Sequence, residues 1–84
     1  MKILNVEVKT HNESEKHLVN IINSNLNRCR DYMERNAFGD NTQSIIKRTL
    51  LECDNLFSAL YYMELVEVTT IRPDLEKEFN IDLY

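Results

Sequence analysis

A single glycine, Gly39, and a single proline, Pro73, punctuate this chain of 84 residues. Tight turns and strand connections draw heavily on those two residue types. A chain so short of them is expected to fold into a few long elements rather than many short strands. The length allows one domain, residues 1–84, with a core of limited size. The expected class is mainly α with a small β component.

Hydrophobic periodicity places the elements. Residues 2–9 alternate, with Leu4, Val6 and Val8 on one side, and read as a half-buried strand. Asn12 or Ser14 opens a first helix, and Asn12 with Glu15 has the spacing of a capping box. Leu18, Ile22, Cys29 and Tyr32 then form an apolar stripe, widened by Leu26 and Met33 and bordered by Val19 and Ile21. Asn25 interrupts it: a buried amide, or a polar residue that fixes register at a helix–helix seam. Arg30 with Glu34 and Asp31 with Arg35 are opposite charges one turn apart. The helix should stop near Asn36, before the turn signal Ala37-Phe38-Gly39-Asp40-Asn41. Asn41 or Thr42 caps a second helix with the stripe Ile46, Leu50, Cys53, Phe57 and Leu60. Two such helices on a short connection pack as an antiparallel hairpin. The β-branched run Val66 to Ile71 reads as a strand that pairs with residues 2–9, giving β-α-α-β, although the second helix could run on instead. Pro73 suits the first turn of a short helix to about Phe79, with Leu75 and Phe79 on one face.

The net charge of −4 makes a basic, phosphate-neutralising surface unexpected. Residues 1–63 balance, and the whole excess of acid lies in residues 64–84, as a solvated face or a docking segment for a basic partner. No stretch approaches the ~20 apolar residues of a membrane span, and two cysteines without close spacing suggest reduced thiols in the cytoplasm. Phosphate-cradling loops need several glycines. His11, His17, Cys29 and Cys53 do not have zinc-site spacing. Glu76 and Glu78, two apart on a helix, cannot act as a carboxylate pair. No catalytic, metal or cofactor residues are therefore assigned.

Two surfaces remain. Arg28, Arg30, Arg35, Lys47 and Arg48 converge near the hairpin turn and form the alternative, anion- or nucleic-acid-binding site, although acids are interleaved with them. The second helix is apolar on more than one side. Leu51 and Tyr62 lie opposite its core stripe, Leu65 lies on one flank, and Ile45 and Met63 on the other. What covers this side is either the chain's own ribbon or C-terminal segment, or a protein partner or second copy docked on Leu51, Tyr62 and Leu65, with Leu75 and Phe79 of the acidic segment as the other docking position.

The stretches MKILNVEVKT and HLVNIINSNLNRCRDYMERNAFGD resemble the small accessory proteins of T-even-type bacteriophages, most closely the cytoplasmic antiholins. That resemblance implies a regulator in the host cytoplasm that delays lysis by binding the cytosolic part of a holin. It assigns a role to no individual residue. The leading expectation is a non-enzymatic protein that binds and inhibits or adapts a protein partner. The alternatives are a nucleic-acid-associated regulator and a structural oligomerisation module.

Overall fold

The computed structural model describes residues 1–36 and 40–83, with the side chains of Asn36, Asp40 and Asn41 outside the description. Five elements follow in order: β1 (Lys2–Ile3), β2 (Val6–Glu7), α1 (Glu13–Asn36), α2 (Asp40–Tyr62) and α3 (Arg72–Phe79). The helical hairpin, the two-stranded ribbon and the short last helix are those expected. The hairpin turn at residues 37–39 lies outside the described residues.

The start of α1 follows from its sequence. Asn12 Oδ1 accepts the Glu15 backbone N–H at 2.9 Å, and the Glu15 carboxylate accepts the His11 N–H at 2.6 Å. Glu15 thus reaches one residue further back than in the usual capping box. Helix α2 begins by Asp40, so Thr42 lies inside its first turn rather than at its cap. The α2 stripe of Ile46, Leu50, Cys53, Phe57 and Leu60 is buried as expected. On α1 the buried line is Val19, Ile22, Leu26 and Cys29, while Tyr32 is exposed and Leu18, Asn25 and Met33 are half-buried. The stripe is thus rotated toward Val19, because the ribbon and α3 draw α1 toward that side.

The ribbon differs in its partners. Residues 2–9 do not run as one strand: β1 and β2 pair with each other, with Ile3 opposite Val6. Leu4 turns the chain back at φ 54°, in the region where glycine is usually found. Ile3 and Val8 are buried, and Leu4 and Val6 are half-buried, so the alternation does not mark one face. Residues 66–71 form neither strand nor helix. Their expected pairing with the N-terminus is reduced to a backbone bond at its start, from the Lys9 N–H to the Leu65 carbonyl at 2.9 Å. The order is β-β-α-α-α, not β-α-α-β.

Helix α2 ends without glycine. Glu64 takes φ 63°, its N–H bonds the Tyr61 carbonyl, and the Leu65 N–H bonds the Leu60 carbonyl, both at 2.9 Å. This is the Schellman pattern, with the apolar pair Leu60 and Leu65 closing it. The extended segment that follows is held by α2. Asp54, buried at 2% exposure, accepts the Thr70 hydroxyl at 2.7 Å and the Ile71 N–H at 2.8 Å, and faces Arg72 Nε at 3.4 Å. One turn on, the Ser58 hydroxyl donates to the Thr69 carbonyl. The anionic side chain thereby meets the amino end of α3, where unpaired N–H groups favour it.

Candidate protein-docking surface

Three of the expected docking residues belong to the core. Leu65 closes the cap of α2, and Leu75 and Phe79 turn the apolar face of α3 onto the hairpin; all three are buried. Leu75 and Phe79 share a face of α3 as expected, whereas Leu65 lies past the end of α2 rather than on its flank, and the chain's own elements cover all three. Leu51 is half-buried and packs against the same core. Tyr62 is the member of the group that stands in solvent, 83% exposed.

Tyr62 does not stand alone. Its ring meets Tyr61 edge to face, with centroids 5.7 Å apart, and Met63 next to them is also exposed. The left-handed turn at Glu64 brings the chain round sharply after these residues, so they form a corner at the end of α2. The bonds from Asp54 and Ser58 keep the following segment in place. Next to the corner, a shallow recess of about 360 Å³ lies between β2 and residues 64–68, and Glu7, Lys9, Glu64 and Glu67 contribute to its lining. The corner is therefore apolar and aromatic, with an acidic margin. Sequence reading passed over Tyr61, and took Val68 for a strand residue. The retrievable signal was the Tyr-Tyr-Met run immediately ahead of the helix end.

The five cations do not act together. Arg30 grips Glu78 of α3 with Nε at 2.8 Å and Nη2 at 2.9 Å, and its Nη1 donates to Asn27 Oδ1 at 2.7 Å. The hydrogen bonds to Glu78 raise its already high pKa. The expected partner Glu34 is thus replaced by one from another helix. Arg35 pairs with Asp31 at 3.4 Å, as the spacing implied. Arg28 and Arg48 are exposed, and Lys47 is half-buried beside a recess that includes Asp82. Two acids of the C-terminal segment are also engaged internally: exposed Glu78 with Arg30, and half-buried Glu76, whose Oε2 accepts the Leu83 N–H at 3.0 Å.

Cys29 and Cys53 are buried free thiols. Burial pushes both pKa values up, that of Cys53 from 9.0 to about 12. The Cys53 thiol points at the Ile22 carbonyl, at 3.9 Å. Such thiols are poor nucleophiles and behave as small core hydrophobes. Among the described residues, no group of three or more His, Cys, Asp or Glu side chains is placed to hold a metal ion, and no helix is long and apolar enough to cross a membrane. Comparison of the chain with protein families, curated proteins and solved structures finds no match.

Proposed function

We propose that the protein acts by binding a protein partner in the cytoplasm, rather than by catalysis, and that the Tyr61–Tyr62 corner is where the partner docks. The observation that carries this reading is a tyrosine left 83% exposed on a corner at the capped end of α2, beside a segment that Asp54 ties down. A rigid tyrosine buries a large ring at small entropic cost while its hydroxyl keeps a polar contact, which is why it is frequent at the centre of interfaces. The resemblance to cytoplasmic antiholins makes the cytosolic part of a holin the finer candidate for that partner, and lysis inhibition the finer function.

A photo-crosslinking amino acid placed at Tyr62 in the native cell tests the reading. The expected result is one dominant protein adduct, lost when Tyr61→Glu is added to place a charge within the corner. Crosslinking to no protein, or to a diffuse set that Tyr61→Glu leaves unchanged, would overturn it. Adduct formation with a membrane protein through its cytosolic segment would support the holin candidate, and a soluble adduct would reject it.

A further inference from the structure

The helical hairpin has another face that the described residues leave open. On one side of α1, Asn23 donates to the Lys2 carbonyl in β1 and Arg30 grips Glu78 of α3. On one side of α2, Asp54 and Ser58 hold residues 69–71. Each of these ties has a neighbour two positions away, which is roughly 200° around an α-helix. Those positions begin two series, one through Ile21, Asn25 and Tyr32 on α1 and one through Ile45, Leu56 and Met63 on and just past α2. Because the helices run antiparallel, the two series share the face turned away from the ribbon and α3.

We infer that this face binds a second copy of the chain, so that two hairpins stack into a symmetric dimer. Its large apolar side chains are exposed rather than core: Ile21, Tyr32, Ile45 and Met63 are each 37–46% exposed. The molecule measures 40 × 23 × 17 Å, so the faces that run along its length are its largest surfaces. Two adjacent helices of this length, at 1.5 Å rise per residue and ~10 Å diameter, offer about 700 Å² per protomer. Doubled, that is about 1,400 Å², within the range of a stable specific interface. The charges fit a copy of the same face. Glu52 lies among the apolar residues, and Arg28 and Arg48 lie at the margins of the two helices, all three exposed. A two-fold axis presents both signs to both signs, whereas a partner of one strong charge would oppose either the acid or the bases. Half-buried Asn25 then lies in the seam as a polar residue that fixes the pairing.

Ala59 supplies the test, because it is exposed on this face and takes no part in the core. Sedimentation equilibrium of the full chain should give a dimer, with a dissociation constant of micromolar order or tighter. Ala59→Lys should raise that constant at least tenfold with unchanged helical circular dichroism. Tyr62→Ser, at the aromatic corner, should leave it within about twofold. A wild-type chain that is monomeric at several hundred micromolar would overturn the inference. So would a dimer that Ala59→Lys leaves intact, or one that Tyr62→Ser disrupts instead. A loss of partner crosslinking at Tyr62 with the dimer retained rejects the docking corner alone.

Discussion

Replacing Asp54 by alanine should be the most damaging polar change in the protein. The carboxylate is buried at 2% exposure and receives the Thr70 hydroxyl, the Ile71 N–H and the approach of Arg72. Truncation leaves a buried backbone donor at Ile71 without its acceptor and removes the charge opposite Arg72. Breaking a buried charged pair costs about 3–5 kcal/mol, and hydrogen bonds to a charged group contribute about 1.5–3 kcal/mol each, not additively. A domain of this length has roughly 4–13 kcal/mol of stability in all. Asp54→Ala therefore removes a large share of it and should lower Tm by roughly 12 °C or more, at about 4–8 °C per kcal/mol. Asp54→Asn keeps an oxygen that can accept from Ile71 and should cost less, about 1–2 kcal/mol. Urea unfolding of both variants measures the difference, and hydrogen exchange at Ile71 and α3 should accelerate first, since that helix is anchored through this contact. A loss below about 1 kcal/mol for Asp54→Ala, or equal losses for both variants, would refute the assignment of Asp54 as the anchor.

Asn12→Ala removes the acceptor for the Glu15 N–H and should cost about 1 kcal/mol, read from the urea midpoint. Glu64→Gly should stabilise the protein by about 0.5–1 kcal/mol, because the side chain is exposed and the residue sits at φ 63°; a loss of stability would refute the cap reading. Stability should also fall in alkali. Burial raises the folded pKa of Cys53 to about 12, so the folded state holds a proton that the unfolded chain releases from its ordinary 9.0 upward. That contribution is complete below pH 9.0 and is lost on approaching 12. A Cys53→Ala variant should show a smaller alkaline decline, with the share from Cys29 remaining, as measured by thermal unfolding across that range. Thiol titration at neutral pH should be slow until denaturant is added.

Much of the helical framework is legible in the residues themselves. The scarcity of glycine and proline, the Asn12–Glu15 spacing and the 3.6-residue stripe through Ile46, Leu50, Cys53, Phe57 and Leu60 are short-range signals, and a helix is a short-range structure. The same holds for Pro73 at the start of α3 and for Leu75 and Phe79 sharing one face. What covers an apolar face is a different matter, because it depends on which elements meet. The run Val66 to Ile71 has strand-forming residues, yet strand preference is realised only where a partner edge is available. The N-terminal segment had already turned back on itself at Leu4, with no glycine to announce it. Leu65, read as an exposed flank, became core because Glu64 adopts a left-handed conformation that side-chain identity did not advertise. Arg30 found Glu78 across the fold rather than Glu34 one turn along its own helix, and Asp54 gained its role only when residues 70–72 arrived beside it. Periodicity determined which faces are apolar; the tertiary structure decided which of them stay open, since closing a face takes long-range contacts that no local spacing encodes.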